Sequence, residues 1–283
     1  MGPRETLIHY RNVLAEPIQK QLENMEIAAR FARFHEIARA ERYADPKCLS
    51  RHGYRCFSQF EEDGIVDEIF RRIGSPSRYF VEFGVGEGLE NNTIALLLAG
   101  WRGLWIEADS KLEQRIRAGF AEPIKSRQLS LLGEFVSAEN IEEILAREGV
   151  PEELDLASID IDGNDYWVWK AMRRFRPRVV VIEYNASLGR TASVVRPYEP
   201  RGCWDGSTGF GASLAALEAL GRDKGYSLVG CSIAGVNAFF VRSDLVGARF
   251  LEPFTAEMHY EPPRFGAAPL AGHPPRWARF DPA

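Results

Sequence analysis

The sequence predicts an α/β fold: a mostly parallel seven-stranded sheet that ends in an antiparallel hairpin, with an N-terminal helical extension. Three observations predict it. Short β-branched and aromatic runs alternate with helical stretches through the middle of the chain, the pattern of βα units on a parallel sheet. The first unit, Tyr79 to Asp109, reads strand, glycine loop, helix, turn, strand. The last two apolar runs, Tyr226 to Ile233 and Val236 to Arg242, flank Ala234-Gly235 and read as a hairpin.

A chain of 283 residues can bury a full core. Its net charge of −5 argues against a nucleic-acid partner, which selects for a basic surplus. No apolar run is long enough to span a bilayer. The first residues lack a signal-peptide layout, so a cytoplasmic location is expected. Cys48, Cys56, Cys203 and Cys231 show no C-x-x-C spacing, which fits reduced thiols rather than a metal cluster.

Residues 1–56 are expected to form the helical extension, 57–250 the ligand-binding domain and 251–283 a Pro-rich tail. Between residues 5 and 45, Ile18, Leu22, Met25, Ala29 and Ala32 make one apolar stripe at helical spacing. Ile27, Phe31, Phe34 and Ala38 make a second. A helix with two apolar faces touches two things. One is its own domain; the other is a lid position or a second subunit in a homodimer. Arg30, Arg33, Arg39 and Arg42 are expected on the solvated side.

Ser58 and Glu61 have capping-box spacing, and Ile65, Val66, Ile69 and Phe70 follow at helical intervals. Tyr79–Phe83 is the first strand. Asn91 to Thr93 suit a helix start, and Gly100 a helix stop. Leu104–Ile106 is the second strand, Lys111–Phe120 a helix, and residues 128–136 the third strand. A helix over 137–148 leads to the fourth strand, Leu154 to Asp162, on which Asp160 and Asp162 share a face if the strand runs that far. An EF-hand reading of Asp160, Asp162 and Asn164 fails, because its sixth position is Asp165 rather than Gly and its twelfth is Ala171 rather than Glu. Residues 178–185 form the fifth strand. The insert from 186 to 211 has no periodicity, and a helix over 213–220 precedes the hairpin.

The chemistry starts at the glycine loop. Gly84, Gly86 and Gly88 follow the first strand, so backbone can approach a ligand closely. Glu107 ends the second strand about 20 positions on, where an acidic residue accepts from ribose hydroxyls. The spacing argues against NAD, since Gly88 comes one residue early for G-x-G-x-x-G and Glu82 would face a pyrophosphate. An acidic residue, G-x-G-x-G and a second acidic residue suit a cationic sulfonium nucleoside better.

This arrangement resembles motif I and the ribose-binding acid of class I S-adenosylmethionine (SAM) methyltransferases, which have a Rossmann-like fold. Together with Gln59-x-x-x-Asp63-Gly64 and Ile159-Asp160-Ile161-Asp162-Gly163-Asn164-Asp165-Tyr166, it resembles the FkbM-type branch over about Ser58 to Asp244. The chain departs from that branch in having Asp-x-Asp-Gly where Asp-x-Glu-Gly is usual. The resemblance implies SAM as cofactor and O-methylation of a small hydroxylated metabolite or sugar, as in secondary metabolism. Gln59, Glu82, Gly84, Gly86, Glu107, Phe135 and Asp160 are the expected cofactor contacts. Asp160, Asp162 and Glu183 are the catalytic candidates, as base or anchor for the acceptor hydroxyl. Asn185, Tyr198 and Trp204 are the expected substrate contacts, and His259 is a further candidate base.

Asp160, Asp162, Glu183 and Asn185 also make an oxygen-only set that suits Mg²⁺, so a metal-assisted route stands beside the metal-free one. Two other function classes stay open. One is a SAM enzyme that cyclises the cofactor or transfers its aminocarboxypropyl arm. The other is a non-catalytic nucleoside-binding or assembly module.

Overall fold

The computed structural model describes residues 18, 20–22, 25, 28–29, 32–202, 204–264 and 281–282. Ile27, Arg30 and Phe31 of the expected N-terminal helix, Cys203, and the tail over 265–280 lie outside the described residues.

The strands in chain order are β1 (Tyr79–Phe83), β2 (Arg102–Ile106), β3 (Leu129–Leu132), β4 (Leu156–Ile159), β5 (Val179–Glu183), β6 (Val194–Val195), β7 (Tyr226–Cys231), β8 (Asn237–Arg242) and β9 (Asp281–Pro282). Seven of them form one sheet in the order β3-β2-β1-β4-β5-β8-β7, with β8 antiparallel to both neighbours. The expected fold class holds. Order reverses between β1 and β4, which opens a crevice at the carboxyl ends of the strands. β6 and β9 pair separately, so residues 281–282 lie against the insert.

Helices α1 (Glu62–Ile73), α2 (Ile94–Leu98) and α3 (Ser110–Gly119) contribute Ile65, Ile69, Ile94 and Ile116 to one apolar layer. After α4 (Ala121–Lys125) come α5 (Ile141–Arg147), α6 (Asp165–Ala171) and α7 (Leu214–Asp223), which supply Ile144, Trp169 and Leu217 to the other. The central strands are apolar throughout because both their faces are covered. Val179 to Ile182 are all fully buried.

Three local expectations change. The third strand, expected over 128–136, ends at Leu132. Asp63, not Glu61, answers Ser58: its Oδ2 accepts from the backbone amides of Cys56, Phe57 and Ser58 at 2.7–2.8 Å and from Ser58 Oγ at 2.9 Å. One carboxylate gathering three amides outcompetes a capping box, and α1 starts at Glu62. The fourth strand ends at Ile159, and Asp162 takes a left-handed φ of 57° in the turn that follows.

Of the second N-terminal stripe, Phe34 and Ala38, joined by Ile37 from outside it, pack against Tyr43, Cys48 and Ile233. Ile18, Leu22 and Met25 are 52–62% exposed. No helix among the described residues is long and apolar enough to cross a membrane.

Candidate functional site

A cavity of about 330 Å³ lies across the carboxyl ends of β1 to β4. That is the small end of the range for small-molecule sites, roughly 300–1,000 Å³. Each strand contributes the residues that follow it. Gly84 and Gly86 come after β1, and Glu107 to Asp109 after β2. Glu134 to Val136 follow β3, Asp160 to Asp162 follow β4, and Gly202 and Trp204 reach in from the insert.

The glycine loop is built on two carboxylates with different jobs. Glu82 is 3% exposed and does not line the cavity. It accepts from Asn91 Nδ2 at 2.8 Å, Asn92 N at 2.8 Å and Thr93 Oγ1 at 2.5 Å. Burial raises its pKa, and these hydrogen bonds oppose the rise. The residues expected to cap α2 are therefore spent on Glu82. Thr93 Oγ1 also accepts from Trp105 Nε1 at 2.7 Å, which joins the loop to β2.

Glu107 lines the cavity. Its Oε2 accepts from Gly86 N at 2.7 Å and its Oε1 from Asp109 N at 2.9 Å. It holds the loop tip at a set distance from β2, and each oxygen keeps a further lone pair for a ligand hydroxyl.

A second group of carboxylates stands where β4 meets β5. Asp160, Asp162 and Glu183 each place a carboxylate oxygen within 4.8 Å of the others. The register explains the meeting. Ile159 pairs with Ile182 and Glu183 pairs with Asn237, so Asp160, Glu183 and Asn237 follow one another across three neighbouring strands. Desolvation pushes the pKa of Asp160 well up, reinforced by Asp165, Asp162, Glu82 and Glu62. Glu183 is pushed up by desolvation and then by Asp160, Asp165 and Asp162. Asp165 rises to about 6 through burial, although its carboxylate accepts from Ile161 N and Gly163 N.

The sequence does not reveal Asn237, which is 3% exposed. Its Nδ2 donates to Glu62 Oε1 at 3.1 Å, while its Oδ1 and Glu183 Oε2 are buried without hydrogen-bond partners. An asparagine at the start of a strand carries no signal of its own; only the register sets it against Glu183.

The other candidates are dispersed. Gln59 is exposed and outside the cavity. Phe135 lines it and is 38% exposed. Asn185 is fully buried and turned into the insert, donating to Thr208 O at 2.8 Å and Phe210 O at 2.9 Å. The Tyr198 hydroxyl accepts from Ala138 N at 3.2 Å and donates to Glu139, tying the insert to the start of the α5 segment. His259 lines a different cavity at the β7 edge, and burial lowers its pKa to about 4.

No protein-family model matches the chain, and no curated protein matches it. Among solved structures, it is similar to the magnesium protoporphyrin IX methyltransferase of Synechocystis PCC 6803 with bound S-adenosylhomocysteine (SAH), at 14% identity over 64% of this chain and 81% of that one, with a TM-score of 0.43. It is similar to the N-terminal domain of EvdMO1 with SAH bound, at 16% identity over 73% and 94%, with a TM-score of 0.41. It is also similar to the pyocyanin biosynthetic protein PhzM, at 18% identity over 62% and 54%, with a TM-score of 0.39.

Proposed function

We propose that this chain is a SAM-dependent methyltransferase acting on a small hydroxylated acceptor. One observation carries the reading: a single cavity is bounded by the glycine loop, by Glu107 and by Asp160, at the ends of adjacent parallel strands. Gly84 and Gly86 bring backbone to the ligand, Glu107 offers acceptors to ribose hydroxyls, and Phe135 offers an apolar face for the base. The carboxylate group beside the cavity suits a positive sulfonium and disfavours a pyrophosphate. Bound SAM would supply an electrophilic methyl group.

The chain's own part is then positioning and proton handling. Aligning acceptor and methyl is worth up to about 7–11 kcal/mol. Asp160, with its raised pKa, is the group to accept the hydroxyl proton, and Glu183 and Asp162 anchor the acceptor. The Asp160–Tyr166 run supports a place near the FkbM-type branch, and free thiols at Cys48, Cys56 and Cys231 suit a reducing, cytoplasmic setting.

A second reading is favoured by the orphaned oxygens of Glu183 and Asn237. Asp160, Asp162 and Glu183 bring carboxylate oxygens within 4.8 Å of one another, with Asn237 paired opposite Glu183, and such an oxygen-only set would suit Mg²⁺, which would acidify or orient the acceptor hydroxyl. Asn185, expected in that set, faces elsewhere.

The test is calorimetric titration with SAM and, separately, NAD, repeated on Gly86→Arg. Micromolar SAM binding that disappears in the variant is expected; a preference for NAD overturns the reading. Product mass then separates methyl transfer from cofactor cyclisation or aminocarboxypropyl transfer.

A further inference from the structure

We infer that the acceptor carries a protonated amine beside its hydroxyl, and that Glu183, Asp162 and Asn237 hold that ammonium group at the edge of the cavity. The inference rests on the methyltransferase reading and narrows its acceptor to an amino alcohol. Asp160, Asp162 and Glu183 bring carboxylate oxygens within 4.8 Å of one another. Among the described residues, the charges that act on Glu183 are Asp160, Asp165 and Asp162, all negative. Arg196 approaches the same turn, with Nη1 3.3 Å from the Cβ position of Gly163, but is not among them. Acidic side chains in company do not by themselves specify a ligand.

Asn237 supplies the independent observation. It is 3% exposed and stands directly opposite Glu183 on β8. Opposed residues of an antiparallel pair project from the same face of the sheet. Glu62 Oε1 accepts from Asn237 Nδ2 at 3.1 Å, which orients the amide and leaves Oδ1 as the side turned away from Glu62. Asn237 Oδ1 and Glu183 Oε2 are both buried without a hydrogen-bond partner. An amide oxygen and a carboxylate oxygen cannot satisfy each other, and buried acceptors left unpaired are costly. What both lack is a donor. A neutral hydroxyl offers one proton, whereas an ammonium offers three and carries the opposite charge. Donating at about 2.7–2.9 Å, one ammonium nitrogen reaches carboxylate oxygens of this spacing. Asp160, which lines the cavity and lies against Gly84, is then left to the hydroxyl.

The experiment titrates the SAH-saturated protein with glucosamine, glucose and N-acetylglucosamine, which replaces the amine by a neutral amide. Charge-assisted hydrogen bonds are expected to favour glucosamine over both other sugars by about tenfold or more. Glu183→Gln keeps the shape without the charge and is expected to bring glucosamine and glucose within about threefold of each other. Asn237→Leu is expected to weaken glucosamine and leave glucose unchanged. SAH affinity reports whether each variant folds, and the wild-type comparison of the three sugars stands without either variant. Equal binding of glucosamine and glucose, or binding of neither, overturns the ammonium site and leaves the SAM reading standing. Glucosamine that displaces SAH assigns the carboxylates to the cofactor's own amino group, and Mg²⁺ that strengthens both sugars alike assigns them to a metal; either result overturns the proposal. Wild type that binds no SAH overturns the methyltransferase reading, and the ammonium site is then decided by glucosamine against glucose alone.

Discussion

Gly84 lies so close to Asp160 that a Cβ added to it would sit 1.7 Å from the Asp160 carbonyl oxygen. The glycine loop therefore crosses directly over the end of β4, and the two halves of the site are in backbone contact. Gly84 also has a φ of +72°, which L side chains adopt at a cost of about 1–2 kcal/mol. Gly84→Ala is expected to lose more than ~2 kcal/mol of stability and to lose SAH binding, read by urea titration and calorimetry. Gly86 has a φ of +58° but nothing within 4 Å of its Cβ position. Gly86→Ala is expected to keep the fold and carry only the backbone cost. Equal losses in the two variants would mean that the loop does not depend on the Asp160 contact.

Thr93 is the hinge of the buried network under that loop. It donates to Glu82 and accepts from Trp105, and it is fully buried. Thr93→Val keeps the shape but leaves a buried carboxylate short of a donor and a buried indole N–H without an acceptor. A loss of about 2–4 kcal/mol is expected in chemical denaturation. A loss below about 0.5 kcal/mol would show that water replaces the hydroxyl and that the network is not what holds the loop.

Much of this site was legible in the sequence because βα units place ligand groups at strand ends whatever the details between them. Gly84, Gly86, Glu107, Phe135, Asp160 and Asp162 all fell on one cavity for that reason. What stayed illegible depends on side-chain direction or register. Glu82 and Asn185 sit at the expected positions, yet their oxygens and amide are spent on Thr93 and Phe210. Asp160 and Asp162 come together through a turn, not through a shared strand face. Asn237 becomes relevant only because β8 runs antiparallel beside β5. The Ser58 cap went to Asp63 because a nest of three amides formed around it, which spacing alone cannot show.

The raised pKa of Asp160 makes a signed prediction about pH. Its cause is desolvation first and neighbouring carboxylates second, so the folded state prefers the protonated form. Such a group contributes stability that is complete below its unfolded pKa, about 3.9, and lost as pH rises through the folded value. Asp160→Asn removes that loss. The variant is expected to melt higher than wild type at pH 8, and the gap to close as pH falls toward 4. A gain of about 1 kcal/mol reads as roughly 2–4 °C in a domain of this size. The same variant is expected to lose about 10²–10⁴-fold in transfer rate if Asp160 takes the proton. A pH-independent Tm difference would remove the electrostatic account of the site.

Glu183 and Asn237 decide between the metal-free and metal-assisted routes. They stand opposite one another across β5 and β8, and each leaves a buried oxygen without a partner. If these oxygens bind a divalent cation, Mg²⁺ or Mn²⁺ raises the Tm of the protein in proportion to its binding, and chelation reverses the shift. Asn237→Ala removes one neutral donor and is expected to weaken Mn²⁺ binding by about tenfold, while Glu183→Gln removes charge and weakens it further. Both losses are to be read by calorimetry without SAM, so that a metal effect is not confused with a cofactor effect. Binding should also strengthen as pH rises, because Asp160 and Glu183 must release protons before they coordinate. Unchanged Tm with millimolar Mg²⁺, together with full activity in chelator, would assign the carboxylates to proton transfer and acceptor anchoring alone. In that case Glu183→Gln should raise the acceptor KM more than it lowers kcat, since an anchor acts on binding before it acts on the step.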